Sequence, residues 1–120
     1  MAEHNDLGNL GEVIAQKHLL DKGYRLLETN WRFGKDEIDI IAVDKDQLVI
    51  VEVKTRSNRD LGEPEEAVNR KKQKFLVRAA DVYITENNIE MECRFDIIAI
   101  VYQNNKAEIN HIVDAFYPTM

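Results

Sequence analysis

The stretch Glu37–Arg56, EIDIIAVDKDQLVIVEVKTR, constrains the fold more than any other part of the sequence. Residues 37–43 and 48–55 are rich in the branched apolar residues typical of strands, and a short polar turn between them predicts a β-hairpin. Because side chains alternate between the faces of a strand, both faces of this hairpin carry apolar residues. A sheet that is apolar on both faces has to be covered on both sides, as in α/β proteins.

The rest of the sequence supplies two helices and three further strands. A polar cap at Asn5 or Asp6 and a left-handed stop at Gly23 delimit the first helix, and Pro64 favours the first turn of a second helix that continues to Ile84. The other predicted strands are residues 24–30, 93–101 and 108–113. The order predicts one α/β domain over residues 1–120, with a mixed five-stranded β-sheet flanked by α-helices.

Helical periodicity predicts which side of each helix is buried. In the first helix the small residues Gly8, Gly11 and Ala15 lie close together, so this helix can approach a sheet closely, and Glu12 projects from the edge of that strip. Its apolar side also includes Leu7, Leu10, Ile14 and His18. The predicted buried side of the second helix consists of Val68, Lys72, Phe75, Ala79 and Val82.

Composition limits the class of protein to which this chain can belong. Hydrophobic residues make up 44% and charged residues 32% of the 120 residues, which is typical of a soluble globular protein. No apolar run approaches the ~20 residues of a membrane span, and the N-terminal residues lack the pattern of a secretory signal. The single cysteine, Cys93, cannot form an internal disulfide. These features predict a cytoplasmic protein with no membrane partner.

The charge distribution gives two opposed indications about nucleic acid. The net charge of −6 counts against a nucleic-acid partner, because affinity for phosphate depends largely on lysine and arginine. Residues 54–78, however, hold eight basic and four acidic side chains, so this segment is basic within an acidic chain. Such a segment can attract a polyanion locally, although a solvated helix face is an equally good interpretation.

The hairpin register brings two carboxylates together. If Val43 pairs with Leu48, Asp39 lies directly opposite Glu52, and like charges at such positions, ~5 Å apart, are destabilising. Lys54 offsets part of this repulsion, and a Mg²⁺ ion would offset more, because Mg²⁺ is commonly bound by one or two carboxylates plus water and phosphate oxygens. The alternative is a solvent-exposed hairpin face with a Glu-Lys pair. The apolar residues that continue the same face favour a buried position.

Several motifs along the chain are together similar to one bacterial family. Asp39 followed by Glu52-Val53-Lys54 resembles the PD-(D/E)XK signature of restriction-endonuclease-like nucleases. The surrounding motifs are GEVIA, DKGYRLLETNWR, DEIDIIA, VEVKTR, GEPEEAV, KKQ and RFDIIAI. Over residues 7–116 they resemble the uncharacterised YraN-like family of that superfamily, which is of the Holliday-junction-resolvase type. One departure is Asp36, because the family commonly has glycine immediately before Glu-Ile-Asp.

The resemblance implies a restriction-endonuclease-like core with a metal site. In such a core Asp39 and Glu52 bind Mg²⁺ or Mn²⁺, the Val53 carbonyl adds a ligand, and Lys54 orients or activates water. Glu12 matches a first-helix glutamate that resolvase-type nucleases contribute to the metal site.

The resemblance also extends to the second helix. Lys72 and Gln73 match a Lys-Gln pair of the family, and Lys72 is expected to point towards the site. For Lys72 the alternative is a side chain that extends from an apolar helix face to water.

These residue types suit phosphodiester hydrolysis. A metal held by carboxylates lowers the pKa of bound water and neutralises charge on a phosphate, and a nearby ammonium stabilises the developing oxyanion. We therefore expect an Mg²⁺-dependent or Mn²⁺-dependent endonuclease that acts on DNA, including branched or processed DNA. The candidates for contacts with backbone phosphates are Arg56, Arg59, Arg70, Lys71 and Lys74. The resemblance to junction-resolving nucleases implies a homodimer.

Two other functions fit the same sequence. The first is a nucleic-acid-binding or assembly module that keeps the nuclease fold without efficient catalysis, and the acidic net charge favours it. The second is an interaction protein in which the carboxylates are structural. No chemistry is predicted for His4, His18 or His111. His18 is expected to be a hydrogen-bonded core residue, and Arg94 and Asp96 are expected to form a structural ion pair.

Overall fold

The computed structural model describes residues 3–118, and their side chains from residue 6 onwards, as a five-stranded sheet between two helices. The elements in chain order are α1 (Glu3–Asp21), β1 (Arg25–Phe33), β2 (Asp36–Asp44), β3 (Gln47–Arg56), a short 3₁₀ helix (Pro64–Ala67), α2 (Arg70–Glu86), β4 (Glu92–Gln103) and β5 (Lys106–Phe116). The predicted order of elements and the α/β fold class are confirmed.

The five strands lie in the sheet in chain order. All neighbouring strands are antiparallel except β3 and β4, which are parallel, so the sheet is mixed as predicted. Parallel neighbours require a long crossover connection, and α2 provides it. The hairpin has the predicted register, with Val43 opposite Leu48, and its ladder ends at the pair Ile40 and Val51. Asp39, just before Ile40, and Glu52, just after Val51, would form the next pair of this ladder but lie beyond its end.

Each face of the sheet packs against one helix. On one face the buried residues of α2 meet the odd-numbered apolar residues of β2 and the even-numbered ones of β3, among them Ile41, Val43, Leu48 and Ile50. On the other face Ala15 and Leu19 of α1 meet the alternate set, Ile40, Ala42, Val49, Val51 and Val53. The apolar character of both hairpin faces thus reflects two cores.

Strand β2 departs from strict alternation at Asp39. Ile38 belongs to the core on the α2 side, with Ile41 and Val43, whereas alternation predicts that it lies with Ile40 and Ala42. The irregularity falls where the ladder between β2 and β3 ends. A strand that is no longer held by its neighbour on that side can rotate, and this frees the Asp39 side chain from the regular pleat.

The helix ends differ in part from prediction. Helix α1 begins at Glu3, so Asn5 and Asp6 lie within it, and the side chains of His4 and Asn5 lie outside the described part of the structure. It stops as predicted before Gly23, which has φ +89°. Within residues 3–118 no helix is both long and apolar enough to cross a membrane.

The second helix begins later than predicted because a better cap follows Pro64. Pro64 opens a separate 3₁₀ turn, and Val68, with φ −86° and ψ 83°, interrupts the helical path. The side chain of Asn69 accepts a hydrogen bond of 2.9 Å from the Lys72 backbone N–H and caps α2 at Arg70. The buried residues of α2 are Leu76, Ala79, Ala80 and Tyr83. Of the predicted buried side, Ala79 and Val68 are buried as expected, with Val68 before the helix, whereas Lys72, Phe75 and Val82 are only partly buried.

A buried polar network joins α1 to β4 and β5. Arg94 contacts Asp96 at 2.9 Å, which confirms the predicted ion pair, and donates to the Tyr24 hydroxyl at 2.8 Å. His111 contacts Asp96 at 2.8 Å, and His18 Nε2 lies 3.1 Å from His111 Nδ1. The prediction of a hydrogen-bonded His18 is also confirmed. Each member has polar partners, as buried charges require.

The contact between α1 and β3 allows no side chain at Gly11. A Cβ atom at Gly11 would lie 1.8 Å from Oγ1 and 2.9 Å from Cβ of Thr55. We expect Gly11→Ala to push α1 away from β3 and to lower the free energy of unfolding by about 1–3 kcal/mol. Urea denaturation measures this. The matched control is Gly8→Ala, where a Cβ meets nothing within 4 Å and the helix gains about 0.5–1 kcal/mol. Equal stability of the two variants would contradict the predicted clash.

Candidate metal centre

A cleft of about 310 Å³ lies where the ladder between β2 and β3 ends. Glu12 of α1 enters it from one face of the sheet and Lys72 of α2 from the other, so both helices contribute. The remaining lining residues are Gly8, Asp36, Glu37, Asp39, Glu52, Val53, Lys54 and Thr55. The predicted catalytic residues Glu12, Asp39, Glu52 and Lys54 therefore meet in one cleft.

The Asp39 carboxylate occupies the position at which β2 and β3 separate. Its Oδ2 atom accepts a hydrogen bond of 2.8 Å from the Val53 backbone N–H. This N–H points towards β2, where no further ladder partner follows Ile40. The side chain thus replaces a backbone partner, and Asp39 is held in place with its second oxygen free of the strand ladder.

Glu52 is the most deeply buried acidic group of the cleft, with 2% of its surface exposed. Its Oε2 atom lies 3.7 Å from Nζ of Lys54 and 3.7 Å from Nζ of Lys72. Its Oε1 atom is buried and receives no hydrogen bond from the described residues. A buried carboxylate oxygen without a donor costs free energy, so this atom is a natural position for a proton or a cation.

Burial raises the pKa values of both carboxylates, and a neighbouring negative charge adds to it, that of Asp39 for Glu52 and that of Glu12 for Asp39. Burial is the main reason why the pKa of Glu52 rises to about 8, and the adjacent Asp39 charge adds to it. Burial also raises the pKa of Asp39 to about 6, against the opposing effect of the Val53 N–H. When Glu52 is protonated its carboxyl group can donate a hydrogen bond to Asp39. Without a cation the pair therefore holds a proton at neutral pH.

A second acidic group adjoins Asp39 on the α1 side. Among the described residues, carboxylate oxygens of Glu12, Glu37 and Asp39 lie within 4.8 Å of one another. Asn30, at φ +50°, positions two of them, since its Nδ2 donates to Glu12 Oε1 at 2.8 Å and to Glu37 Oε1 at 3.1 Å. Glu52 neighbours Asp39 but lies outside this group. Glu37 is thus an additional candidate ligand.

Lys72 points into the cleft and does not extend to water. Its Nζ atom lies 2.9 Å from both carboxylate oxygens of Asp36 and packs 5.0 Å from the Phe75 ring centroid. Burial opposes the charge of Lys72, but the bond to Asp36 and the Glu52 charge outweigh it and raise its pKa. Burial likewise opposes the charge of Asp36, whose pKa is nevertheless lowered by Lys72. Lys72 is thus a fixed positive charge beside Glu52.

The donor set of the cleft fits a hard divalent cation. Carboxylate and carbonyl oxygens are the ligands that Mg²⁺ and Mn²⁺ prefer. Asp39 and Glu52 would supply the central ligands, and Glu12, Glu37 or the Val53 carbonyl could complete the protein side of the shell. The buried Glu52 oxygen that receives no hydrogen bond from the described residues is compatible with a cation at this position.

The predicted nucleic-acid-binding residues do not form a single surface. Lys71, Lys72 and Lys74 border a groove beside the cleft, and Arg70 and Gln73 lie on the adjoining surface of α2. Gln73 donates from Nε2 to the Val68 carbonyl at 3.1 Å. Arg59 is held by Glu63, at 3.0 Å, and by Glu108, and Arg56 lies at the end of β3.

Comparison with known proteins places this architecture in a family. The family described as "Uncharacterised protein family UPF0102" matches residues 11–100. The chain belongs to UPF0102. Its relatives include UPF0102 proteins of Flavobacterium psychrophilum, 51% identical over 98% of both chains, and of Bacteroides thetaiotaomicron, 49% identical over 100% of this chain and 99% of the relative. A UPF0102 protein of Phocaeicola vulgatus is 43% identical over 98% of both chains. UPF0102 is the YraN-like family that the motifs resemble, so the expected family membership is confirmed.

The part of the chain that matches UPF0102 includes all the predicted site residues, since it begins at Gly11 and ends at Ile100. Sequence reasoning did not assign a function to Glu37, Asn30 or Asp36. Glu37 lies two residues before Asp39, and an asparagine at the end of a predicted strand is a signal of irregular backbone. Asp36 stands where the family commonly has glycine, and only the structure shows that it binds Lys72.

Proposed function

We propose that this UPF0102 protein is a metal-dependent endonuclease that hydrolyses phosphodiester bonds in DNA. The observation that carries the proposal is the pair Asp39 and Glu52, with one buried Glu52 oxygen that receives no hydrogen bond from residues 6–118. The motif of Asp39 with Glu52-Val53-Lys54 and its nuclease-like spacing support the same function. The single cysteine, Cys93, favours the cytoplasm, where thiols stay reduced.

In the proposed mechanism the acidic residues of the cleft bind the cation, and the lysines contact the phosphate or supply positive charge. Asp39 and Glu52, with Glu12 or Glu37, would hold Mg²⁺ or Mn²⁺, and the bound cation would supply a water of lowered pKa and neutralise phosphate charge. Lys54, half-exposed beside Glu52, can hydrogen-bond a phosphate oxygen and orient the attacking water. Lys72, fixed by Asp36, keeps a positive charge on the α2 side of the cleft.

Cleavage by a lysine variant tests this division. We expect wild type with Mn²⁺ to cut plasmid, single-stranded or four-way-junction DNA, and Lys54→Met to lower the rate by about 10²–10³-fold while it still binds Mn²⁺. The control is Lys17→Met, since Lys17 is exposed in α1 and pairs only with Asp21 among the described contacts. Equal cleavage by wild type and Lys54→Met would show that the activity does not arise from this site.

A second candidate is a nucleic-acid-binding or assembly module without catalysis. Lys54 and Lys72 both lie 3.7 Å from Glu52, so two ammonium groups partly neutralise the cleft in the absence of a cation. The net charge of −6 also suits a protein whose contacts with nucleic acid are local. This function predicts DNA binding by wild type with no cleavage of any of the three substrates.

A further inference from the structure

A groove of about 700 Å³ runs beside the cleft, between the turn that joins β1 to β2 and the first turns of α2. Phe33 and Phe75 form its apolar floor, and both rings are half-buried. Four basic residues, Lys35, Lys71, Lys74 and Arg78, are exposed along its rim. Aromatic rings with cationic groups around them are the features that single-stranded nucleic acids require.

The aromatic floor is part of a larger set of rings. The centroids of Phe33 and Phe75 lie 6.1 Å apart with planes 37° apart, and Trp31 stacks parallel to Phe33 at 6.3 Å. Tyr83 supports Trp31 edge to face at 5.2 Å. The floor is therefore held by core packing on the α2 side, and a base placed on Phe33 or Phe75 would meet a rigid surface.

The charge of the groove contrasts with that of the chain. Five basic side chains line it against a single acidic one, Asp36, whereas the whole chain has a net charge of −6. Lys72 already neutralises Asp36, so the exposed basic residues of the rim are available to phosphates. This contrast favours a polyanion in the groove over a neutral or cationic ligand.

The groove and the cleft share two residues, Asp36 and Lys72, and so form one continuous surface. A strand that follows the rim would thus lead its phosphates towards Asp39 and Glu52. In a duplex each base is covered by its neighbours, so it cannot stack on a protein ring. Unpaired bases can, which gives the groove a preference that phosphate contacts alone lack.

We propose that the groove binds an unpaired, single-stranded segment of the DNA substrate, with bases on Phe33 and Phe75 and phosphates on Lys71, Lys74 and their neighbours. This proposal rests on the proposed function for the choice of nucleic acid as substrate, but it assigns a separate binding site. It predicts that the enzyme selects DNA with unpaired nucleotides next to the scissile bond.

Binding without metal tests the proposal apart from catalysis. A fluorescein-labelled oligo-dT and a duplex of equal length are titrated in EDTA, with anisotropy and Trp31 fluorescence as readouts. Trp31 is the one tryptophan of the chain and stacks on Phe33, so a stacked base should quench it. We expect the single strand to bind at least about tenfold more tightly than the duplex.

Two pairs of variants separate stacking from charge. Phe33→Leu with Phe75→Leu should weaken single-strand binding about tenfold and abolish the quenching, with duplex binding unchanged. Lys71→Gln with Lys74→Gln, at exposed positions, should reduce the slope of log K against log salt concentration by about 1.4. The controls are Tyr102→Leu and Lys17→Gln, which lie outside the groove and should bind as wild type does.

Equal affinity for single strand and duplex would overturn the proposal, as would wild-type affinity and quenching in the phenylalanine variants. Wild-type salt dependence in the lysine variants would also contradict it. These outcomes are independent of the metal site. If a cleft variant loses cleavage but still binds the single strand, the groove proposal stands. If wild type cleaves DNA without a preference for single strands, the groove proposal is wrong and the proposed nuclease function stands.

Discussion

Replacement of Asp39 with asparagine is expected to lower the rate of metal-dependent DNA cleavage by at least about a thousandfold without loss of the fold. The amide oxygen of asparagine can still accept the hydrogen bond from the Val53 N–H, which wild type makes at 2.8 Å. The negative charge beside Glu52 is lost, and with it the central ligand of the proposed cation. The rate is measured on plasmid or junction DNA at saturating Mn²⁺.

The matched control for this variant is Asp46→Asn. Asp46 lies in the turn of the same hairpin, exposed and away from the cleft, so its loss removes one charge without a ligand. It should cleave at the wild-type rate. Cleavage by Asp39→Asn at a rate near wild type would mean that Asp39 does not hold the reactive metal, and the proposed mechanism would be wrong.

Replacement of Glu52 with glutamine is expected to stabilise the metal-free protein at high pH. The pKa of Glu52 is about 8 in the folded protein, against a value of 4.5 for the unperturbed group. Between these values the folded state binds more protons than the unfolded state, so the free energy of unfolding of wild type falls as pH rises. Glutamine cannot ionise and can donate to Asp39 at every pH.

The gain from Glu52→Gln should therefore be absent below about pH 4.5, grow as pH rises, and reach about 2–4 kcal/mol above pH 8. Urea denaturation in EDTA across this range measures it, with Glu86→Gln at the exposed end of α2 as control. Added Mn²⁺ should stabilise wild type and not the variant, because binding to the folded state shifts the equilibrium. A pH-independent difference would contradict the assignment of a buried, proton-holding Glu52.

The register of the hairpin and the helix layer on each of its faces could be predicted from the sequence. The positions of Val43 and Leu48 beside a short turn determine the register, and the apolar residues on both faces predict the two covering layers. Both inferences depend on the two-residue period of a strand, which is local and strong. The same period placed Asp39 beside Glu52, and the structure brings the two into one cleft.

Sequence patterns did not predict the side to which Ile38 points or the residue at which α2 begins. Ile38 turns to the α2 side at the end of the ladder, and no local pattern reports where a ladder ends. Pro64 was predicted to lie in the first turn of the second helix, but it begins a separate 3₁₀ turn, and the cap at Asn69 begins α2 six residues later, at Arg70. The Asn69 cap is a local contact made by a residue that the prediction placed inside the helix, whereas the position of Ile38 depends on where the pairing of β2 with β3 ends.

The site shows the same limit. Asp36, in β2, and Lys72, in α2, bond at 2.9 Å, although nothing in their local sequence predicts the contact. Asn30 joins Glu12 to Glu37 across two elements in a similar way. Motifs identified the residues of the cleft, whereas the long-range hydrogen bonds that orient them come from the packing of α1 and α2 on opposite faces of the sheet.

Anomalous diffraction from crystals soaked in Mn²⁺ tests the central claim most directly. We expect an anomalous peak bonded at about 2.0–2.3 Å to a carboxylate oxygen of Asp39 and of Glu52, with further ligands from Glu12, Glu37 or the Val53 carbonyl. The peak should disappear in Asp39→Asn. A cleft that stays empty at saturating Mn²⁺, or a peak held by residues other than Asp39 and Glu52, would contradict the proposed metal centre.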